Sequence, residues 1–208
     1  TGERTAVLKG HTNGVRGLAL RGGLLVSGSS DKTVRLWREA SCVAVLREHT
    51  GYVISIALGS GARGEVAVSA SHDKTVKVWP LDEGTASLAT LRHPAGVISV
   101  SAERDVLATA CRDGKVRTYS LVTLECTRTF EAHDGRVCTV RLLGGVLVSG
   151  GDDKRAKVWE LEDGGAACVA TLEHVAMVYG VAVLPSGAVA AVGRKDQGGG
   201  VLVWRPKQ

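Results

Sequence analysis

Apolar residues along the chain come in short runs that alternate with polar ones or end at Gly, Asp or Asn, and no stretch sustains a helical period. The first such set predicts strands near Val15 to Leu20, Leu24 to Ser27, Thr33 to Trp37 and Cys42 to Leu46, and later segments copy it. Arg21-Gly22-Gly23 and Leu143-Gly144-Gly145 read as hairpin turns, and Ser30-Asp31-Lys32 joins the second predicted strand to the third. The longest nearly uncharged stretch, Ala176 to Gly193, is cut by Pro185-Ser186-Gly187 into two strand-length runs, which excludes a membrane-spanning helix. The pattern is that of an all-β chain.

The copying has a period. Trp37, Trp79, Tyr119, Trp159 and Trp204 follow one another at intervals of 42, 40, 40 and 45 residues. A repeat of that length denotes a stack of small sheets, each burying its faces against its neighbours. The segments ending on the first four aromatics align directly: SGSSDKTVRLW, SASHDKTVKVW, TACRDGKVRTY and SGGDDKRAKVW. The fifth, AVGRKDQGGGVLVW, carries two extra residues between Asp196 and Trp204. Each unit opens on a His: Gly10-His11, Glu48-His49, Arg92-His93, Ala132-His133 and Glu173-His174.

These residues resemble the WD-repeat family of β-propellers over essentially the whole chain. Loss of the family's terminal Asp, as in Trp37-Arg38, is the main departure. The resemblance implies five four-stranded blades in a single domain over residues 1–208, whole or cut from a larger protein. The chain opens on a lone outer-strand sequence, Thr5 to Leu8, and ends on a third-strand sequence, Val201 to Trp204. Pairing the two would close the last blade, hide both sheet edges and give a monomer. The alternative is an arc of a larger propeller.

His, Asp and Ser recur together in a way that imitates a hydrolase. The sets are His11, Ser27, Asp31 and Trp37; His49, Ser69, Asp73 and Trp79; His93, Thr109, Asp113 and Tyr119; His133, Ser149, Asp153 and Trp159. A nucleophile needs one exposed site rather than four copies. The resemblance implies structural tetrads instead, in which Asp bonds His, His bonds the hydroxyl, and the hydroxyl bonds the indole. By count from Asp196, unit five has Val192 at the hydroxyl position and an incomplete network. No catalytic residue, metal site or cofactor is expected, and the Gly198-Gly199-Gly200 run lacks the strand-to-helix setting of a phosphate loop.

Composition adds little to this but removes rivals. With 44% hydrophobic residues and a net charge of +5, the chain is a packed globule rather than a disordered one. Its Lys and Arg are scattered, so nucleic acid is not an expected partner. The five cysteines, Cys42, Cys111, Cys126, Cys138 and Cys168, contain no CxxC and are odd in number. A reducing cytoplasmic or nuclear setting is therefore expected, and no secretory signal is visible. Cys42, Cys126 and Cys168 read as structural thiols of the outer strand, whereas Cys111 and Cys138 lie near loops that could face a ligand.

The resemblance also implies a binding face, the top rim of the channel. Repeat register sends Arg16, Ile54, Ile98, Cys138 and Tyr179 to one ring, and Ser30, His72, Arg112, Asp152 and Lys195 to another. Gly14, Tyr52, Gly96, Arg136 and Met177 stand beside them. From these, Arg16, Tyr52, His72, Ile98, Arg112, Tyr179 and Lys195 are expected to contact a protein or peptide partner, because aromatic and Arg side chains dominate interface energetics. The expected function is a non-enzymatic interaction scaffold. The alternative is the substrate-recognition propeller of a ubiquitin ligase, reading an acidic or phosphorylated peptide, since the last unit is similar to the F-box/WD-repeat subgroup.

Overall fold

The computed structural model describes residues 6–62, 64–81, 84–161, 165–184, 186–194 and 200–205. Among these are nineteen strands and no helix, hence none long and apolar enough to cross a membrane. Blade one comprises β1 (Val15–Arg21), β2 (Leu24–Ser29), β3 (Val34–Arg38) and β4 (Ser41–Leu46). Blade two comprises β5 (Val53–Gly61), β6 (Gly64–Ser71), β7 (Thr75–Pro80) and β8 (Ala89–Arg92). Blade three holds β9 (Val97–Glu103), β10 (Val106–Cys111), β11 (Lys115–Ser120) and β12 (Cys126–Glu131). Blade four holds β13 (Val137–Leu143), β14 (Val146–Gly151), β15 (Arg155–Glu160) and β16 (Ala167–Glu173). Blade five has β17 (Met177–Val183), β18 (Val189–Arg194) and β19 (Gly200–Trp204). The strands expected for the first unit are all present, with bounds shifted by a residue or two.

Why the strands run as they do follows from their side chains. The middle strands of a blade are covered on both faces, so β6 and β7 are apolar or small nearly throughout, whereas outer strands such as β12 alternate between exposed and covered residues. First strands pack in series, β1 on β5, β5 on β9, β9 on β13 and β13 on β17. Hydroxyls stitch this inner layer: Ser55 Oγ accepts from the Val100 amide (3.2 Å), Ser99 Oγ from Val140 (3.3 Å) and Ser101 Oγ from Leu142 (3.0 Å). Gly17 permits a close backbone approach, because a Cβ there would stand 2.9 Å from the Ile56 amide nitrogen of the next blade.

The apolar residues gather into four cores, each between consecutive blades. Trp79 of blade two packs with Val26, Val34 and Leu36 of blade one; Tyr119 of blade three with Val68, Val76 and Val78 of blade two. Trp159 and Trp204 repeat the arrangement in blades four and five. Burying one such aliphatic or aromatic side chain contributes about 1.5–3 kcal/mol, so each core outweighs any single polar contact.

Among the described residues no core joins blade five to blade one, and the described part of the expected closing strand, residues 6–8, is not paired to blade five. Blade five has three strands among the described residues, and Ala6 to Gly10 adopt no strand. Thr5 lies outside the described residues. Leu8 instead borders a cavity of about 480 Å³ on the flank of blade one, with Val15, Leu18, Leu25 and Trp37. The reason is geometric: β17 does not pack on β1 as the other first strands pack on one another. Leu18 and Leu20 on one flank are 62% and 71% exposed, and Val201 and Val203 on the other 63% and 59%. The expectation of a monomer, which rested on closure, loses that support.

The thiols are all free, with exposures opposite to the loop reading. Cys42, Cys126 and Cys168 pair with Trp37, Tyr119 and Trp159 at the bulge of their outer strands and are exposed. Cys111 and Cys138 are buried. Burial, with the Asp152 carboxylate beside it, pushes the Cys138 thiol up to about 12, so it stays protonated.

Candidate functional site

The Asp of each β2–β3 type turn sits where its carboxylate faces the His that opens the unit. In blade two, His49 Nδ1 bonds Asp73 Oδ2 (2.7 Å), His49 Nε2 bonds Ser69 Oγ (2.7 Å), and Trp79 Nε1 donates to that same Oγ (2.8 Å). Blade one repeats this with His11, Asp31, Ser27 and Trp37, and blade four with His133, Asp153, Ser149 and Trp159. Burial opposes ionisation of Asp73, but hydrogen bonds from His49, Thr75 and Thr50 outweigh it and hold the carboxyl below its ordinary value. Asp31 is lowered likewise, with burial opposed by Thr33, Thr12 and His11. In these three sets the Ser hydroxyl is held between an indole and an imidazole, so its lone pairs and proton are occupied by the fold.

Blade three departs from the expected tetrad. Asp113 turns to Arg117 (2.7 Å) and the Lys115 amide (3.1 Å), leaving His93 Nδ1 to donate to the Leu91 carbonyl (3.2 Å). His93 Nε2 faces the hydroxyls of Thr109 (3.0 Å) and Tyr119 (3.3 Å). Arg117 stands at the repeat position of Arg35, Lys77 and Lys157, but here the side chain reaches back four residues to the carboxylate.

Blade five departs further, and its hydroxyl position is Ala191 rather than Val192. Val189 pairs with Trp204 as Leu147 pairs with Trp159, which puts Ala191 in register with Ser149 and Gly193 with Gly151. A Cβ at Gly193 would strike the His174 ring, as one at Gly151 would strike that of His133. Counting back from Asp196 misplaced the position by one, because the turn length differs in this unit; Asp196 itself lies outside the described residues. The network is incomplete as expected: His174 Nδ1 bonds within the Ala176 backbone, and Nε2 is buried without a partner. An Ala191→Ser variant supplies the missing hydroxyl and is expected to raise stability by about 1 kcal/mol. Urea unfolding measures it, and a loss of stability would contradict the register.

Some of the expected top-face residues lie close to one another. Arg16, Ile54 and Tyr179 line the same central channel, of about 310 Å³, with Ser55, Ser99 and Thr139 below them. Arg112 Nη2 lies 3.2 Å from His72 Nε2, and the Tyr52 ring centroid stands 6.0 Å from that of His72. Tyr52 and Tyr179 are 45% and 47% exposed. Burial, then the nearby Arg112 and Arg16, lowers the His72 pKa and keeps that ring neutral, so it can accept from Arg112. Arg16 Nε donates to Ser30 Oγ (2.9 Å), whereas Arg136 is neutralised by Asp152. Ile98 is half-buried beside the channel residue Ser99. Lys195 lies outside the described residues.

One channel residue escaped the sequence reading. Arg141 lines the channel at a register position held elsewhere by Ala19, Ala57, Ser101 and Ala182. A single cation in a column of small residues was a signal available from the repeat. Among the described residues no three His, Cys, Asp or Glu side chains gather as a metal site would require.

Comparison with known proteins agrees with this geometry. The family model "WD domain, G-beta repeat" matches residues 2–38, 40–80 and 124–160, more than half of the chain. The chain belongs to the WD-repeat family. The matched segments hold the three complete tetrads, and the rewired third unit and incomplete fifth fall outside them. The WD40 β-propeller domain of Doa1 superposes with a TM-score of 0.79 at 27% identity, covering 91% of this chain and 64% of that one. DDB1- and CUL4-associated factor 13 of Xenopus tropicalis is 45% identical over 62 residues, which are 29% of this chain and 14% of that protein. Mitochondrial division protein 1 of Schizosaccharomyces pombe is 26% identical over 177 residues, 76% of this chain and 24% of that protein. The match thus spans a quarter or less of each of these two curated relatives.

Proposed function

We propose that this propeller binds its protein partner through the channel mouth, using Arg16, Tyr52, His72, Ile98, Arg112, Tyr179 and Lys195, and that it does so without catalysis. The observations that support the reading are the two half-exposed tyrosines, the Arg112–His72–Tyr52 cluster, and Arg16 and Tyr179 lining one channel. Such side chains anchor interfaces because they bury much area at little entropic cost. Catalysis finds no support, since the repeated His, Asp and Ser groups spend their hydrogen bonds inside the blades. Five free thiols support a reducing, intracellular setting.

A second reading, an acidic or phosphorylated peptide presented to a ubiquitin ligase, is favoured by charge. The Arg16 and Arg112 side of the mouth surrounds a neutral His72, while Arg136 opposite is already paired with Asp152. The relative named for association with DDB1 and CUL4 adds to it.

Changing Arg112 and Tyr179 together to Ala is expected to lower partner affinity at least tenfold, with the unfolding midpoint unchanged. Capture from cell extract, followed by titration of the recovered partner, measures it. If the double variant binds normally and Asp105→Ala on the opposite rim abolishes binding, the face is wrongly chosen.

A further inference from the structure

Blades two, three and four meet in two successive joints, and these are not filled alike. Where blade two meets blade three, Val66 and Leu121 are each 2% exposed. Their repeat counterparts, Val106 and Leu161, are only half-buried and line a cavity of about 520 Å³ between blades three and four. One hairpin makes the difference. β5 and β6 pair for two positions beyond Gly59 and Val66, as far as Gly61 and Gly64, whereas β9 and β10 stop at Glu103 and Val106. The longer hairpin covers its joint so closely that a Cβ on Gly59 would strike Leu121, and its Ser60 amide donates to the Arg104 carbonyl (2.7 Å). Blade three lacks that extension, so an apolar floor of Val106, Leu142 and Leu161 stays open.

We propose that this pocket, at the end of the blades opposite the top face, is a second protein-binding site that takes an extended segment of a partner in which an aliphatic side chain stands between residues of opposite charge. The segment replaces the strand extension that blade two supplies from within the chain. It lays its aliphatic side chain on Leu161 and donates an amide to the Gly144 carbonyl, the repeat counterpart of the Arg104 carbonyl. The site is preformed. At its inner end Glu103 accepts from the Gly144 (2.9 Å) and Gly145 (3.4 Å) amides, and at its outer end Arg128 donates across the joint to the Gly165 carbonyl (2.7 Å). Charge selects the flanking residues: Arg104 and Asp105 form the exposed tip of the β9–β10 turn, and neither side chain has an ion-pair partner among the described residues. Arg104 holds a φ of 52° where blades one and four place Gly22 and Gly144. A side chain is disfavoured in that left-handed region and Gly is not, so the cation stands at the lip against the local backbone preference.

The probe is the blocked peptide acetyl-Ser-Glu-Leu-Lys-Ser-amide, titrated into the 208-residue chain and followed by amide NMR. Saturable shifts are expected at residues 103–106, 142–145 and 161. The same peptide with Gly in place of its Leu is expected to bind at least tenfold more weakly, the loss that follows from removing one buried aliphatic side chain. Arg104→Gly is expected to weaken binding about threefold without lowering the unfolding midpoint, because it gives the turn the residue of blades one and four. Arg112→Ala with Tyr179→Ala is expected to leave peptide affinity unchanged, so this site and the top-face reading can fail separately. Equal affinity for the two peptides, no saturation below about 5 mM, or shifts confined to other residues would overturn the proposal. So would the same shifts on concentrating the protein alone, which means that a second copy fills the pocket.

Discussion

Asp73→Ala is expected to lower stability by about 3 kcal/mol, the largest loss of any single tetrad substitution. The carboxylate accepts four hydrogen bonds, from His49 Nδ1, the Thr50 amide, the Thr75 amide and the Thr75 hydroxyl (2.6 Å). Alanine leaves all four donors in place, and the His49 side chain is 1% exposed, so water replaces few of them. Asp113→Ala is expected to cost about a third as much, because Arg117 reaches solvent once released. Urea unfolding of the two variants checks the contrast. Equal losses would mean that burial of the imidazole, rather than its carboxylate partner, sets the energy.

The second large effect is on pH dependence, and it belongs to His93. Burial, with Arg117 nearby, lowers this imidazole to about 4 from an ordinary value of 6.5. Between those two values the unfolded chain binds a proton that the folded chain refuses, so stability falls as pH drops from about 6.5 to about 4 and is flat outside that window. From pH 7.5 to pH 5.0 the loss is about 2 kcal/mol. His93→Gln removes the titration, and its unfolding free energy is expected to change by about 2 kcal/mol less than wild type over the same interval. Matching pH slopes in the two proteins would refute the assignment. Asp31 and Asp73, whose folded pKa values lie below ordinary, act in a separate window: their contribution is complete above about pH 4 and is lost as pH falls below it.

The sequence made the repeat and its strands legible because register is enforced by burial: a one-residue slip at Ser27 or Ser69 would turn the whole strand over. The same logic placed Arg16 and Tyr179 at one channel mouth from residues far apart in the chain. What it missed are choices between neighbours that periodicity does not constrain. Asp113 bonds Arg117 instead of His93, a choice between two partners that the repeat pattern leaves open. Ala191 and Val192 are both apolar, so only the pairing of Val189 with Trp204 separates them. Closure of the ring depended on angles between blades, which strand patterns do not encode.

The serial packing of blades has a consequence for how damage spreads. Each core joins two consecutive blades, so stability divides into five intrinsic terms and four nearest-neighbour terms, like a short one-dimensional array. Asp73 in blade two and Asp153 in blade four share no core, and their losses are additive unless blade three yields. Blade three is therefore the coupling element of the molecule. Its rewired, pH-sensitive His93 network stands where a local change alters the cooperativity of the whole array.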